Sequence, residues 1–449
     1  MRMRHTCISY TVLLLVMPLL ASPLVAQSDD SDRIKKLEQQ VESLQNTVDD
    51  LKEDDEAGSS DSGSMLGDSL TFESDNGVFK GTIGGRLMVD YVFTDLDDSL
   101  ENPVEGPAPG ANDNDATDSS ASFRRARLFA AGSYGDVGYK LQLDFAGGTS
   151  IKDAYLDFPS PLPGGYSVKV GRFYEPWGLE GQTSSKYITF MEFALPVDTF
   201  YAFRTNGIGA WGNALDKRMH WGASATRSTT DGFGDSQAEG EYAASGRLTG
   251  LPYIDEDGSH LLHTGVSATT RSVDNVRFGT DPELTDVASF VRTQNIDANR
   301  QTIGNVEAAL ILDSFSLQGE YIKNWISDNQ TGLSDPSFDG FYAYASYWLT
   351  GEQRNYSKKT GKFGRPDVND PVFEGGCGAW ELVGRYSTLD LNDGGVTGGD
   401  ISNITLGTNW WLNSHTKIAV NYVHSDVENG RNGADGNANM VGTRFQIDF

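Results

Sequence analysis

The feature that most constrains this chain is an alternation of apolar and polar residues that recurs over most of its length. In the string GRLMVDYVF, every second side chain is apolar and falls on one face: Leu87, Val89, Tyr91 and Phe93. A period of two belongs to the β-strand, in which successive side chains point to opposite faces of the sheet. The same alternation recurs in VGYKLQLDF, SLQGEYI, WELVGRYS and KIAVNYV, so the sequence predicts an all-β fold.

Two all-β architectures use such strands. In a soluble sandwich the apolar face lies inside, whereas in a membrane barrel it contacts lipid. The strands are about nine or ten residues long with aromatic residues near their ends, which suits a tilted crossing of the hydrocarbon layer. A spanning sheet must also close, because an open edge in lipid leaves backbone groups without hydrogen bonds. We therefore predict a transmembrane antiparallel β-barrel in contact with outer-membrane lipid.

The length of the chain fits a barrel of 16 strands. Residues 74–449 allow about 23 residues for each strand with its connection, although 12, 14 or 18 strands also fit. Several connections are long and rich in Gly, Asn and Asp, for example DGFGDSQAEGE and NGRNGADGNAN. We expect long loops on one rim of the barrel and short turns on the other.

The C-terminal string VGTRFQIDF predicts a last strand that lies half in lipid. Its apolar face carries Val441, Phe445, Ile447 and Phe449, and its polar face carries Arg444, Gln446 and Asp448. A terminal aromatic residue on such a strand resembles the signature by which barrel assembly machinery recognises outer-membrane proteins. That machinery is therefore an expected partner, through Phe449.

The N-terminal region predicts export followed by a helical stalk. Residues 1–26 combine a basic start, an apolar run of about 13 residues and small residues before a cut after Ala26, as in a signal peptide. Residues 27–56 contain a heptad seam, which predicts a short periplasmic coiled coil: Ile34, Leu37, Val41, Leu44, Val48 and Leu51. A flexible Gly/Ser/Asp linker follows at 57–73, and the barrel occupies 74–449.

Composition argues against several classes of function. The net charge of −28 is unfavourable for binding nucleic acid. The sequence has no nucleophile elbow, no metal-spaced His/Cys cluster and no phosphate-cradling Gly loop, so we expect no enzyme, no cofactor and no metal site. The acidic string at 255–258 fits a solvated loop better than a Ca²⁺ site, because the other ligands of a 12-residue loop are absent.

The strings GGRLMVDY, FRRARL, KDAYLDF, VGRFYEPWGLEGQTSSK, SYWLTGEQRNYS and GAWELVGRYSTLDL occur in an order that resembles the phosphate-selective porin O and P family. The resemblance runs from about Gly84 to Phe449. It implies a 16-stranded barrel in the bacterial outer membrane that assembles as a homotrimer, with an anion-binding constriction in each subunit. Trimers conflict with the two-stranded preference of the heptad seam, and we expect the barrel contact to prevail.

The resemblance implies pore-lining residues at matching positions. They are Arg86 in GGRL, Arg124, Arg125 and Arg127 in FRRAR, Lys152 and Asp153 in KDAYLDF, Arg172 in VGRF, Lys186 in TSSK, and Arg277 in NVRFGTDPEL. Strand alternation favours Arg86, Arg125 and Arg127 as the arginines that face away from lipid. A guanidinium or ammonium at a narrow passage can replace part of the hydration shell of an anion.

The sequence departs from the phosphate-specific members at two positions. Gly181 stands where they have a lysine after GLE, and Phe193 stands where they have the arginine of ER. The basic funnel is thinned and partly replaced by acids, so the resemblance supports the fold and transport role more than phosphate selectivity. We expect passive diffusion of small hydrophilic solutes, including phosphate or other anions. The alternative is a structural barrel that its coiled coil anchors to a periplasmic partner.

Overall fold

The computed structural model describes residues 70–101, 119–159, 166–227, 242–329 and 334–449. The predicted signal peptide and coiled coil, and most of the linker, lie outside these residues. No helix in the described ranges is long and apolar enough to cross a membrane.

Sixteen antiparallel strands, numbered β1 to β16, form one closed barrel, as predicted. The first eight are β1 (Phe79–Leu96), β2 (Ser119–Tyr134), β3 (Val137–Asp144), β4 (Ser150–Pro159), β5 (Ser167–Tyr174), β6 (Arg204–Ala214), β7 (Met219–Arg227) and β8 (Tyr242–Ile254). The others are β9 (His260–Ser272), β10 (Ile296–Leu312), β11 (Phe315–Asn329), β12 (Ser337–Trp348), β13 (Ala379–Asp393), β14 (Val396–Asn413), β15 (Thr416–Glu428) and β16 (Gly436–Asp448).

The first and last strands close the barrel. Strand β16 pairs with β1 in the register Leu87↔Ile447, and the backbone N–H and C=O of Phe449 bond to Gly85 at 3.1 and 2.7 Å. The strand Leu70–Glu73 pairs with the first residues of β1, beyond the end of β16. Four residues of the predicted linker thus cover an edge of the barrel that would otherwise be left without a partner.

The two faces of the barrel have the polarity that the alternation predicts. On β16, Phe445 is 47% exposed on the outer face, whereas the next inward side chain, Arg444, is only 1% exposed. On β1, Leu87 faces outward at 38% and Met88 inward at 0%. The outer face is therefore apolar and the inner face largely polar, as expected for a barrel in lipid.

The connections follow the expected division between rims, with one exception on each side. Tight turns at 135–136, 215–218, 313–314 and 414–415 lie on the rim that carries both ends of the barrel, which we call the terminal rim. Longer loops lie on the opposite rim, including 175–203, 273–295 and 429–435. The exceptions are a tight turn at 394–395 on the opposite rim and a long segment, 349–378, on the terminal rim. Short periplasmic turns identify the terminal rim as the periplasmic one.

Three of these segments fold into the barrel. They are the constriction loop (175–203), the second loop (273–295) and the terminal-rim insert (349–378). The constriction loop contains a helix at Leu195–Phe200, and the 3-10 turn of the terminal-rim insert is Val372–Glu374. The short strands of the second loop and the insert are Asn275–Val276, Gly279–Thr280, Val291–Arg292, Tyr356–Ser357 and Lys362–Phe363. Outside these segments, a short helix, Asp98–Glu101, follows β1, and a 3-10 turn lies at Arg431–Gly433.

The inserted segments build an apolar core inside the barrel. Trp177, Phe190 and Leu195 of the constriction loop pack with Phe278 and Leu284 of the second loop and with inward-facing residues of β10 to β16. One half of the barrel is therefore filled by loops. The site described next lies where these loops face β1 to β6.

Candidate pore constriction

The constriction loop begins at a buried carboxylate that the barrel wall holds from several sides. Glu175 accepts hydrogen bonds from Thr205 at 2.9 Å, Thr226 at 3.2 Å, Ser245 at 2.9 Å and Arg271 at 3.1 Å. These partners come from β6, β7, β8 and β9. A carboxylate with four such donors fixes the start of the loop at one height in the barrel.

Wall side chains also satisfy the backbone of the loop. Glu320 of β11 accepts the N–H groups of Leu179 at 2.9 Å and Glu180 at 2.7 Å. Further bonds come from Asn409, Lys417, Asn421, Arg444 and Gln446, which contact backbone atoms of residues 186–191. Because buried backbone groups require partners, these inward polar residues of β14 to β16 hold the loop in place.

Arg86 and Arg127 lie side by side on the adjoining wall, which begins with the strand paired to β16. They are register partners on β1 and β2, and both are 8% exposed. Arg86 donates to the Ser185 hydroxyl at 2.6 Å and thereby joins the wall to the constriction loop. Arg127 bonds to Asp144 at 2.7 Å.

A β-bulge turns a second arginine of FRRAR inward. The register with β1 shifts between Met88 and Val89, so that Arg124 is the extra residue on β2. Strict alternation would send either Arg124 or Arg125 to the lipid, but a bulge removes that constraint. Both guanidiniums contact Glu192 of the constriction loop: Arg124 at 2.8 Å through two nitrogens, and Arg125 at 3.4 Å.

A second bulge acts in the same way at KDAYLDF. The register between β3 and β4 shifts so that Lys152 is the extra residue beside Asp153. Asp153 accepts from Arg204 at 2.7 Å and lies 3.3 Å from the Lys140 ammonium, while the Lys152 ammonium lies 4.0 Å from Asp144. Both bulges thus add one inward-facing cation to the same wall.

Three ion pairs, with cations on β2, β3 and β4, expose the cation and bury the carboxylate. The pairs Arg127–Asp144 and Arg204–Asp153 are buried at both ends. Side-chain exposure is 31% for Arg124, Lys140 and Lys152, whereas their partners Glu192, Asp153 and Asp144 are exposed by only 9%, 4% and 6%. The pairs are formally neutral. The group that meets water in the bore, however, is the positive one.

Three other predicted residues lie elsewhere. Lys186 is in the constriction loop, 3.3 Å from Asp448, and is 18% exposed. Arg172 shares the outer face of β5 with Val170, which is 44% exposed, and it bonds to Asn206 at 3.3 Å. Arg277 is exposed in the second loop. The structure does not bring Arg172 or Arg277 to the cation-lined wall.

The two departures from the family pattern have structural counterparts. A Cβ at Gly181 would lie 2.5 Å from the Tyr201 ring, so a side chain there would displace that tyrosine. Phe193 is 7% exposed and packs on Phe203 at a ring distance of 5.1 Å. At both positions an aromatic contact inside the loop occupies the place of a basic side chain.

Charge near the loop is also set by acids. Burial alone would raise the pKa of Glu192, but the neighbouring guanidiniums of Arg124, Arg125 and Arg444 hold it well below its usual range. Burial, followed by the negative charge of Glu192, raises the pKa of Asp198 to about 6. In the described ranges, no group of His, Cys, Asp and Glu residues is placed to hold a metal ion.

Sequence reasoning named most of this wall but missed three of its members. Lys140 lies on the polar face of VGYKLQLDF, so alternation alone was sufficient to find it. Arg204 is the first residue of β6, so no alternating pattern leads up to it. For Arg444, the alternation of the last strand predicts only that it lies on the polar face. Their roles depend on which loop carboxylate or strand neighbour they meet, and a local pattern does not contain that information.

Comparison with known proteins identifies the family of this chain. The model of the family described as phosphate-selective porin O and P matches residues 104–449. The chain belongs to this family. It is similar to Porin O of Pseudomonas aeruginosa, at 28% identity over 83% of this chain and 89% of the relative. An uncharacterized protein of Caulobacter vibrioides is 29% identical over 73% of this chain and 68% of its own length.

Solved structures show the same fold at low sequence identity. The outer-membrane channel DcaP of Acinetobacter baumannii superposes with a TM-score of 0.51 at 13% identity, covering 84% of this porin and 99% of DcaP. OmpT of Vibrio cholerae gives 0.52 at 11% identity, covering 84% and 99%. With its family and its closed barrel, the protein is an outer-membrane porin through which small hydrophilic solutes diffuse passively.

Proposed function

We propose that this porin prefers small anions but lacks a tight site for inorganic phosphate. The observation that carries the proposal is the orientation of three ion pairs whose cations, Arg124, Lys140 and Lys152, lie on β2 to β4: these cations are exposed and their carboxylates are buried. A bore lined in this way attracts anions and repels cations over about a Debye length, roughly 10 Å at 0.1 M salt.

The absence of tight phosphate binding follows from Glu192. Its carboxylate already occupies the space between Arg124, Arg125 and Arg444, at 2.8 Å, 3.4 Å and 2.5 Å. These guanidiniums would otherwise suit a tetrahedral oxyanion. The name Porin O belongs to a relative at 28% identity, and its specificity does not transfer by name.

The decisive experiment is the zero-current potential of the purified porin in a planar bilayer that separates two KCl concentrations. We expect the sign that indicates chloride permeation, at both low and moderate salt. We also expect inorganic phosphate, added at millimolar concentration, to leave the chloride current nearly unchanged. A potential of the opposite sign would overturn the anion preference. Strong inhibition of the chloride current by phosphate would overturn the claim that the porin lacks a tight phosphate site.

We further propose that the porin works as a homotrimer, with β3 to β7 on the side facing its partners. Within the described ranges these are the shortest strands of the barrel, of 8, 10, 8, 11 and 9 residues. An eight-residue strand tilted by about 40° covers only about 20 Å, less than an apolar band of about 25 Å. Such a wall suits contact with a neighbouring barrel better than contact with lipid. Unheated gel electrophoresis of the purified porin would test this, with a trimer-sized band expected.

A further inference from the structure

Five consecutive strands place aromatic residues and lysines alternately along the inner wall. The row consists of Phe129 on β2, Lys140 on β3, Tyr155 on β4, Lys169 on β5 and Trp211 on β6. Four of the five have a sequence neighbour that is exposed on the outer face, such as Leu141 at 45% and Leu156 at 47%, and Trp211 lies on the same face of β6 as the buried Thr205. The row lies between the constriction and the terminal rim.

Each lysine of the row lies against aromatic faces. The Lys169 ammonium is 4.9 Å from the centre of the Tyr155 ring and 5.0 Å from that of Trp211. The Lys140 ammonium is 5.9 Å from the centre of the Phe129 ring. The two lysine side chains are 26% and 31% exposed, so water and solutes reach them, while each also lies near one wall carboxylate: Lys169 is 3.9 Å from Asp157 and Lys140 is 3.3 Å from Asp153.

The two end rings lie flat against the wall because glycines leave room for them. A Cβ at Gly84 would stand 2.6 Å from the Phe129 ring. A Cβ would stand 2.5 Å from the Trp211 ring at Gly209 and 2.9 Å from it at Gly222. Larger residues at these positions would push the rings into the bore. The arrangement keeps aromatic surface on the wall of a narrow passage.

We propose that this row selects small aromatic carboxylates from among the anions that pass. The carboxylate binds the ammonium of Lys140 or Lys169, while the solute ring packs against the adjacent aromatic surface. Chloride and phosphate can interact only with the charge of the ammonium groups. Aliphatic acids lack a flat π-face and therefore cannot make the aromatic contact. The inference rests on the proposed anion preference and narrows it to a solute class.

The test compares three acids as inhibitors of chloride current through the wild-type porin in planar bilayers: benzoate, cyclohexanecarboxylate and acetate. Benzoate and cyclohexanecarboxylate have the same charge and similar size, so their ratio isolates the aromatic contact. We expect benzoate to reach half-inhibition at a concentration about fivefold lower than cyclohexanecarboxylate does, a difference of about 1 kcal/mol in binding free energy. Equal half-inhibition by these two acids would overturn the proposal.

Matched tryptophan variants locate the effect. Trp211 faces the bore, whereas Trp221 on the neighbouring strand faces outward beside Leu248, which is 47% exposed. We expect W211L to reduce the benzoate ratio to about one and W221L to preserve it. Y155L provides a second test should W211L fail to fold. A ratio that survives both W211L and Y155L would overturn the proposal.

The two levels of the proposal fail in different ways. A cation-selective zero-current potential contradicts the proposed function itself and removes the basis of this inference. An anion-selective potential with no preference for benzoate contradicts only the role of the aromatic–lysine row.

Discussion

At the scale of single residues, the constriction is governed by carboxylates that decide how much of each arginine remains available. Glu192 is the clearest case, since it bonds to Arg124 in a two-nitrogen fork and also reaches Arg125 and Arg444. Bidentate guanidinium–carboxylate pairs are among the stronger polar contacts in proteins. Glu192 therefore acts as an internal counter-ion within the bore.

Replacing Glu192 by glutamine should convert this region into an anion-binding site. E192Q keeps the shape of the side chain but removes its charge, so the guanidinium of Arg124, which is 31% exposed, loses its counter-ion and becomes available to a solute. We expect phosphate to inhibit chloride current at a concentration at least about tenfold lower than in the wild-type porin, about 1.4 kcal/mol. E192D retains the charge and serves as the control. Phosphate inhibition that is the same in E192Q and wild type would argue against this role.

Asp198 should make selectivity depend on pH. Its pKa is raised to about 6, chiefly by burial and then by Glu192, while Arg124, Arg125 and a hydrogen bond from Thr280 act in the opposite direction. The carboxyl is neutral below that value and gains a negative charge as pH rises through it. We expect the chloride-to-potassium permeability ratio to fall between pH 5 and pH 7.

The variant D198N should weaken this dependence, and D198N/D281N should weaken it further, because burial and then the charge of Asp198 raise the pKa of the neighbouring Asp281 to about 7. Zero-current potentials measured at pH 5, 6 and 7 provide the comparison. A wild-type ratio that is constant over this range, or that rises with pH, would contradict the assignment.

At the scale of elements, the position of the constriction loop depends on hydrogen bonds with wall side chains, at its start and along its length. Removing the Glu175 carboxylate takes the acceptor away from buried donors of Thr205, Thr226 and Arg271, at about 1–3 kcal/mol for each. We expect E175A to give larger and noisier single-channel conductance than wild type. E256A in the exposed turn after β8 is the matched control, and unchanged conductance in E175A would refute the anchor.

The strands themselves could be predicted because alternation is a local property. Leu87 and Phe445 were placed outward and Arg86 and Arg125 inward by period alone, and the structure agrees. The bulges at Arg124 and Lys152 could not be predicted in this way. A bulge shifts the alternation by one residue, and each short stretch on either side of it still alternates regularly.

The filling of the barrel was also beyond local pattern. The segments 175–203, 273–295 and 349–378 lack a sustained period, and they are fixed by contacts with strands far away in the chain, such as Glu320 with Leu179. Arg172 shows the complementary limit: resemblance placed it at the pore, whereas the alternation of SVKVGRFY puts it on the face of Val170.

At the scale of the whole molecule, Phe449 extends the junction that closes the barrel. The backbone of Phe449 bonds to Gly85 in both directions and completes the junction of β1 with β16. Barrel assembly machinery remains a predicted partner through this residue. We expect deletion of Phe449 to lower the amount of folded porin in the outer membrane severalfold, while F449Y preserves it. Heat-modifiable mobility on gels gives the readout, and a normal yield after deletion would count against the prediction.

The central claim is that one face of each strand meets lipid and the other lines a water-filled passage with its cations exposed. Two strands test the two halves, because Lys152 of β4 is 31% exposed on the inner wall and Leu406 of β14 is 55% exposed on the outer face. Single cysteines at these positions, in a background with Cys377 replaced by serine, can be treated with a charged, membrane-impermeant thiol reagent during conductance recording. The account predicts that K152C reacts and loses chloride current, whereas L406C is protected by lipid and keeps it. Reaction at L406C with an inert K152C would contradict the account.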